Sequence, residues 1–267
     1  MMGSAAPRVL LVGCGNMGGA MLRGWLAGGF SPDGFTAFDP RLEEAPAGVR
    51  LLRELPVGET FDAILLGMKP QGLGEAAPQI APLAGAGAIV LSMLAGVELA
   101  TLAGHFPGAG AIVRVMPNLA VALGKSPVGL FAEELSAGQR ETVDRLMAPL
   151  GQPEWLANEA ILHGFTALAG SGPGFVYRFL DALGAGGEAL GLPAEQAARI
   201  ALAMVEGAVA LAAQAGESPA TLARRVASPG GTTEAGLAVL DHEGAMAQLV
   251  AKTLRAASDR SEEMARS

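Results

Sequence analysis

The chain has 267 residues, of which 51% are hydrophobic and only 16% are charged, and its net charge is −8. This composition excludes intrinsic disorder, and the acidic balance argues against a nucleic-acid partner and against an anionic membrane surface. The single cysteine, Cys14, excludes an internal disulfide and a cysteine-cluster metal site, and the three histidines show no metal-site spacing. The length is sufficient for one large domain or two.

The first predicted elements are a short buried strand at residues 9–12 and a helix that follows it through Met21 and Trp25. Between them lies a G-x-G-x-x-G loop in the context required of a dinucleotide-binding turn, with a strand before it and a helix after it. The first glycine permits the tight turn, the second lets a pyrophosphate approach the backbone, and the third lets helix and strand pack closely. The predicted cofactor-binding residues in this loop are Gly13, Gly15, Asn16, Met17 and Gly18.

A second strand is predicted at residues 35–38, and the acidic residue Asp39 follows it, 21 positions after Gly18. This offset is close to the roughly 20 residues expected for a carboxylate that binds the ribose 2′-hydroxyl. Arg41, two residues further on, is instead suited to a 2′-phosphate. We therefore predict that both residues contact the cofactor, and the sequence leaves the choice between NADPH and NADH open.

Three further apolar runs, at residues 61–66, 88–91 and 111–115, alternate with helical segments. Continuous Val, Ile and Leu runs indicate strands buried on both faces of a parallel sheet, so the first half is predicted to be a doubly wound α/β domain of the Rossmann type. Ligands of such sheets bind outside the carboxyl ends of the strands. The residues predicted to line the cofactor cleft there are Met68, Lys69, Pro70 and Asn118.

Beyond residue 158 the pattern contains only helices, among them 194–215 and 219–226, and their faces are rich in Ala and Gly. Gly184, Gly187 and Gly191 are spaced along one helix, where such small residues are predicted to let a neighbouring helix approach closely. We place the domain boundary in the segment 151–158, which gives a dinucleotide-binding domain at 1–155 and an all-helical domain at 156–267. Apolar helices on so small a domain predict burial against another subunit. The uncharged stretches 76–97 and 160–177 are interrupted by Pro and Gly, so we expect no membrane span in them and a cytoplasmic location.

The segment 228–233 joins a proline, two adjacent glycines and three hydroxyls directly to the start of a predicted helix. Free N–H groups at a helix start favour an anion, and glycine lets the backbone approach it closely. An ordinary N-capped turn is the alternative reading, since Ser and Thr are common caps. As an anion site, its binding residues are Ser228, Gly230, Gly231, Thr232 and Thr233.

Taken together, these motifs resemble the pyrroline-5-carboxylate reductase family over nearly the whole chain. The resemblance rests on the glycine loop and on segments 69–71, 114–118, 169–173 and 228–233, which occur in family order and spacing. The last segment matches the family signature and is the most specific. The resemblance implies a nucleotide-binding domain, an all-helical dimerisation domain, and homodimers that in some members assemble into decamers.

The resemblance also implies an activity, the reduction of 1-pyrroline-5-carboxylate to L-proline with NADPH or NADH. It identifies Thr166 as the catalytic residue, at the family position whose hydroxyl lies near the ring nitrogen, and leaves open whether this hydroxyl forms a hydrogen bond or delivers a proton. It identifies segment 228–233 with the site for the substrate carboxylate. The alternative for Thr166 is a helix hydroxyl bonded to its own backbone. One departure occurs at 118–120, where the family's usual Asn-Thr-Pro reads Asn-Leu-Ala.

Two other functions remain open at this point. A related imine or β-hydroxyacid reductase would share the two-domain plan, but the β-hydroxyacid enzymes need a lysine that the segment 159–190 lacks. A non-catalytic regulator that binds a dinucleotide would keep the glycine loop and would not need the segment 228–233. The expected partners are thus a small-molecule substrate and a second copy of the chain, with no nucleic acid and no membrane.

Overall fold

The computed structural model describes residues 7–266, which form two compact units. The first contains residues 7–170 and the end of the last helix, residues 257–266, and the second contains residues 171–256. This division reflects packing alone. The functional boundary between residues 155 and 156 remains a prediction.

The first unit is built on an eight-stranded sheet with strand order β3-β2-β1-β4-β5-β6-β7-β8. All neighbouring strands are parallel except β6 and β7, which are antiparallel. The strands are β1 Val9–Val12, β2 Phe35–Phe38, β3 Arg50–Leu52, β4 Ala63–Leu66, β5 Ile89–Ser92, β6 Ala111–Met116, β7 Ser126–Phe131 and β8 Gly151–Trp155. The predicted Rossmann-type α/β fold is therefore confirmed.

The continuous apolar runs are explained by a core on each face of the sheet. In β1, Val9 and Leu11 belong to one core, whereas Leu10 and Val12 belong to the other. Successive side chains of a strand point to opposite faces, so a strand covered on both sides has no polar positions. On the first face Trp25 is fully buried, stacks on Phe35 at 5.2 Å between ring centroids, and donates its indole N–H to the Leu146 carbonyl.

Helices cover both faces of this sheet and continue into the second unit. Those between the strands of the first unit are α1 Asn16–Ala27, α2 Leu73–Ile80, α3 Leu99–His105 and α4 Ala137–Met147. After β8 comes α5 Ile161–Phe165, which runs into a π-helical turn, Thr166–Gly170. The remaining helices are α6 Gly172–Ala189, α7 Ala194–Ala215, α8 Pro219–Val226, α9 Thr232–Asp241 and α10 Ala245–Arg266.

The sequence patterns missed three strands, β3, β7 and β8. The segment 151–158, in which the domain boundary is predicted, begins with β8, which pairs in parallel with β7. Its sequence, Gly-Gln-Pro-Glu-Trp, alternates half-buried and exposed positions, as expected of an edge strand, and contains a proline that suggests a loop. Strands β3 and β7 were missed for similar reasons, since β3 has only three residues and β7 contains Pro127 and Gly129.

In the second unit, α6 packs against α7 through small residues. A Cβ atom added at Gly184 would lie 3.6 Å from Ala198 Cα, and one at Gly187 would lie 3.1 Å from Ala197 Cβ. The predicted close approach of glycine-faced helices is thus present at both positions. Gly191 does not share it, because it lies beyond the end of α6 with φ +96° and nothing within 4 Å of its added Cβ.

Helix α7 carries much of the exposed apolar surface of the second unit. Among residues 7–266 it is the one helix long and apolar enough to cross a membrane by length and composition, and only 11% of its most apolar stretch is buried. Neither of the stretches examined in the sequence, 76–97 and 160–177, meets that criterion. Large side chains such as Leu202, Val209 and Leu211 are more than half exposed.

The packing of α1 predicts one stability effect. A Cβ at Gly24 would overlap the Val121 carbonyl oxygen and lie 2.7 Å from Leu150 Cδ2, so neither backbone nor side chain has room for it. We expect Gly24→Ala to lower the free energy of unfolding by about 1–3 kcal/mol through overpacking. The matched control is Gly104→Ala in α3, where a Cβ meets nothing within 4 Å. Urea denaturation should show a loss for the first variant only, and equal stabilities would contradict the packing.

Candidate functional site

The predicted glycine loop lies where the strand order reverses, with β2 and β3 on one side and β5 to β8 on the other. It is at the carboxyl ends of the neighbouring strands β1 and β4. Gly13 has φ +91°, a conformation that favours glycine, and its N–H donates to the Phe38 carbonyl of β2. A Cβ at Gly13 would lie 2.9 Å from the Gly67 carbonyl carbon, and one at Gly67 would lie 2.7 Å from the Gly13 oxygen. The two strand ends therefore meet through a pair of glycines, and the sequence analysis missed the second.

The other two glycines of the loop differ in their surroundings. A Cβ at Gly15 would meet nothing within 4 Å, whereas one at Gly18 would lie 2.5 Å from the Gly13 oxygen. Gly15 therefore leaves open space beside exposed backbone, and Gly18 allows α1 to pack onto the turn. These surroundings match the three separate roles that a dinucleotide-binding loop assigns to its glycines.

Asp39, which directly follows β2, holds this loop in place through a hydrogen bond from the loop backbone. One carboxylate oxygen accepts the Cys14 N–H at 2.9 Å, and the other accepts the Arg41 N–H at 2.9 Å. The guanidinium of Arg53, a residue not found from the sequence, donates to the carbonyls of Asp39 and Glu43. The acidic residue thus lies beside the loop as predicted, and its carboxylate orders the loop through backbone donors.

A cavity of about 840 Å³ adjoins the loop. It lies between the start of α1 and the segment 42–47, and Gly15, Asn16, Arg23 and Glu44 are among its lining residues. Cys14 also lines it, and burial raises the pKa of the Cys14 thiol above its ordinary value, with a further increase from the Asp39 carboxylate against an opposing effect of Arg23. The thiol is therefore neutral at physiological pH and behaves as a small apolar group.

The other predicted cofactor residues lie in the first turn of α1 and in the segments that follow β4 and β6. Met17 is half-buried and packs against one core, and Met68 packs against the other. Lys69 is exposed and precedes a 3-10 turn, Pro70–Gly72. Asn118 is only 7% exposed and both ends of its amide are hydrogen-bonded, the oxygen to the Ala120 N–H and the nitrogen to the Ala169 carbonyl.

Thr166 begins the π-helical turn Thr166–Gly170 in the first unit. Its hydroxyl donates to the Leu162 carbonyl at 2.7 Å, which is the backbone bond expected for a helical threonine. The oxygen keeps lone pairs that can accept a hydrogen bond. Single π-helical turns occur often at functional sites, so this position fits a site residue whose hydroxyl is oriented by its own helix.

In the second unit, the segment 228–233 forms the turn before α9. Gly230 has φ +72°, Gly231 is the N-cap with φ −84°, and the helix begins at Thr232 without a side-chain cap bond. The Gly230 N–H donates to a carboxylate oxygen of Glu234 at 2.7 Å. The turn therefore already donates a hydrogen bond to a carboxylate, that of Glu234 in the same chain.

A family model described as pyrroline-5-carboxylate reductase dimerisation matches residues 159–264. The pyrroline-5-carboxylate reductase of Pseudomonas aeruginosa is 34% identical over 98% of this chain and 98% of its own length. Pyrroline-5-carboxylate reductase 2 of Bacillus subtilis is 32% identical over 97% of this chain and 96% of its length. The solved structure of a pyrroline-5-carboxylate reductase from Coxiella burnetii, 28% identical, has a TM-score of 0.91 and covers 98% of this chain and 100% of that chain.

The distinct glycine environments predict distinct effects of an added methyl group. Gly15→Ala should leave the melting temperature nearly unchanged and weaken NAD(P)H binding about 10-fold or more, because the methyl fills space that a pyrophosphate needs. Gly18→Ala should lower the melting temperature by several degrees, roughly 1–3 kcal/mol of overpacking, because the methyl meets the Gly13 oxygen. Fluorescence titration and thermal unfolding separate the two effects. A Gly15→Ala protein that binds NAD(P)H normally would contradict the prediction that the space beside Gly15 holds the pyrophosphate.

Proposed function

Because the chain belongs to the pyrroline-5-carboxylate reductase family, we propose that it reduces 1-pyrroline-5-carboxylate to L-proline with NADPH or NADH. The observation that carries the proposal is full-length relatedness, at 34% identity over 98% of both chains. The reaction is a hydride transfer to the C=N bond of a cyclic imine, the last step of proline synthesis. The proposed location is the cytoplasm.

The residues around the glycine loop fit a dinucleotide. Gly15 leaves room for a pyrophosphate beside the backbone, and the N–H groups at the start of α1 favour its charge. When bound, NAD(P)H supplies the hydride. Further proposed contacts are Asp39 and Arg41 at the ribose, and Met68, Lys69 and Pro70 beyond β4.

Thr166 supports a mechanism that needs no strong acid from the protein. Its hydroxyl donates a hydrogen bond to the Leu162 carbonyl. The hydroxyl oxygen can therefore only accept a hydrogen bond from a substrate ring nitrogen. A cyclic imine is basic enough to be protonated near neutral pH, and the resulting iminium N–H is a donor. We therefore assign Thr166 the role of accepting that N–H and stabilising the reactive iminium form.

The substrate carboxylate is assigned to the segment 228–233. The turn offers the N–H groups at the start of α9 and the hydroxyls of Ser228, Thr232 and Thr233. That Gly230 already donates to the Glu234 carboxylate supports the ability of this turn to bind such a group. The positive end of α9 supplies the local field that a protein of net charge −8 otherwise lacks.

The second unit is proposed to form a homodimer, with a decamer as a further assembly. Support comes from the match of residues 159–264 to a dimerisation family and from the exposed apolar face of α7. Burial of that face against a second copy would remove a large apolar surface from water. The proposed division of function assigns residues 1–155 to the dinucleotide and 156–267 to dimerisation and substrate.

The direct test is oxidation of NAD(P)H by the purified protein on addition of 1-pyrroline-5-carboxylate, with L-proline as the product. A 2-keto acid or a β-keto acid, the oxidised form that a β-hydroxyacid enzyme would reduce, serves at the same concentration as the control for related reductases. Turnover with the imine alone supports the proposal. Turnover with the control acid alone, or cofactor binding without turnover of either compound, would refute it.

Thr166→Val should lower kcat about 10-fold, which corresponds to one transition-state hydrogen bond of roughly 1.4 kcal/mol, with little effect on cofactor binding. The control is Thr142→Val in α4, where the hydroxyl makes the same kind of bond, to the Gly138 carbonyl at 2.9 Å. Both variants lose a backbone bond, and only the first should lose activity. Equal kcat values for the two would assign Thr166 to structure alone.

Asp39→Ser should shift the ratio of kcat/KM for NADPH over NADH toward NADPH, by roughly 10-fold, because a carboxylate repels a 2′-phosphate. Binding of both cofactors should also weaken, since Asp39 braces Cys14 and Arg41, so the ratio is the informative quantity. Arg41→Ala should shift the ratio in the opposite direction. If neither variant changes this ratio, these residues do not distinguish a ribose 2′-phosphate from a 2′-hydroxyl.

Gly231→Val should raise KM for 1-pyrroline-5-carboxylate strongly, because its Cβ would lie 2.5 Å from the Ser228 hydroxyl oxygen and displace it. Thr233→Val should act more mildly, by removing one bond to a charged group, about 1.5–3 kcal/mol. Thr221→Val, near the start of α8, is the control with a hydroxyl at another helix start. NAD(P)H dissociation constants should stay near wild type in all three. Weaker cofactor binding with an unchanged substrate KM would contradict the carboxylate assignment.

A further inference from the structure

The π-helical turn Thr166–Gly170 contains a carbonyl that lacks its α-helical donor. In an α-helix the Ala169 carbonyl would accept the N–H of residue 173, but residue 173 is proline and has no N–H. The next N–H along the chain, that of Gly174, donates to the Ser171 carbonyl instead. A carbonyl in this partly buried position is costly to leave without a donor, so an outside donor has a clear energetic role.

Asn118, at the end of β6, supplies that donor. Its amide nitrogen donates to the Ala169 carbonyl at 2.9 Å across 51 residues of sequence. Its amide oxygen accepts the Ala120 N–H at 2.9 Å, which fixes the orientation of the amide because a backbone N–H can only donate. The Asn118 N–H itself donates to the buried hydroxyl of Ser126 at 3.0 Å.

The departure from the family's usual Asn-Thr-Pro has a consequence here. Residue 120 is alanine, so it has the N–H that holds the Asn118 oxygen, and a proline at this position could not form that bond. In this chain Asn118 is therefore held at its backbone and at both ends of its side chain. A residue held at three points transmits the position of β6 to the turn with little freedom.

We propose that Asn118 is a positioning residue, which fixes the turn carrying Thr166 through its bond to the Ala169 carbonyl. This inference rests on the proposed function, because the turn matters for catalysis only if Thr166 faces the reacting nitrogen. In this proposal Asn118 does not contact the cofactor and instead positions the turn that carries Thr166. Substitution of Asn118 should therefore lower kcat, and should do so only when Thr166 is present.

The test is a double-mutant cycle between Asn118→Leu and Thr166→Val in the full chain. Asn118→Leu should lower kcat about 10-fold and leave the NAD(P)H dissociation constant within about 2-fold of wild type. In the Thr166→Val protein, adding Asn118→Leu should lower kcat by less than about a further 2-fold, since the effects of residues that act as one unit are not additive. Asn118→Asp keeps the acceptor for Ala120 and removes the amide donor. At pH 8 it should show the same loss of kcat, and it decides the question if the leucine variant does not fold.

Ser126→Ala is the structural control, because it removes a buried bond to the Asn118 backbone and leaves the bond to Ala169 intact. It should lower the melting temperature and keep kcat within about 2-fold of wild type. Additive losses in the cycle, or a loss of cofactor affinity that follows the loss of kcat, would overturn the inference. A wild-type protein inactive on 1-pyrroline-5-carboxylate would refute the proposed function itself, which is a different result from an active enzyme with an additive cycle.

Discussion

The contact between the ends of β1 and β4 is the constraint on which the first unit depends. Gly13 and Gly67 lie back to back there, at separations that leave no room for a Cβ on either residue. Because these strands are neighbours from which the chain proceeds in opposite directions across the sheet, their carboxyl ends open the crevice in which such folds bind ligands. Gly18 of α1 packs against the Gly13 oxygen of this contact, and the Asp39 carboxylate binds the N–H of the next residue, Cys14.

A second constraint acts on the proposed substrate side. The turn Thr166–Gly170 departs from α-helical geometry, and the Ala169 carbonyl, which lacks its α-helical donor, accepts the amide N–H of Asn118, two residues beyond β6. The Thr166 proton is engaged within the helix, which makes the oxygen an acceptor. The reaction proposed here suits such a group, since the substrate supplies its own proton as an iminium. The protein then needs to orient, to bind a carboxylate and to exclude water, and a strong acid or base is not required.

Much of the fold could be predicted because its signals are local. The strands Val9–Val12 and Phe35–Phe38 and the helices Ala194–Ala215 and Pro219–Val226 have the predicted bounds, since buried runs and capped helices are encoded in adjacent residues. Strand β8 could not be found in this way, because an edge strand with proline and exposed positions is defined by its pairing with β7. Gly191 was assigned to a packed face on spacing alone, although the helix ends before it.

The candidate site was predictable to a similar degree. The glycine spacing identified Gly13, Gly15 and Gly18, and the structure adds a different environment for each. Gly67 is adjacent to them only because β1 and β4 pair, although a glycine directly after a buried strand was a signal that could have been used. The bond from Asn118 to Ala169 spans 51 residues and depends on a missing N–H at residue 173, a combination that a linear motif does not express.

The most direct test of the account follows one atom from cofactor to product. Purified protein would be given NADH or NADPH labelled with deuterium on the transferable position of C4, together with 1-pyrroline-5-carboxylate, and the proline formed would be examined by NMR and mass spectrometry. The account predicts one deuterium at the proline ring carbon that was the imine carbon, for each cofactor oxidised. Cofactor oxidation that yields unlabelled proline, or no proline at all, would contradict hydride transfer to this substrate.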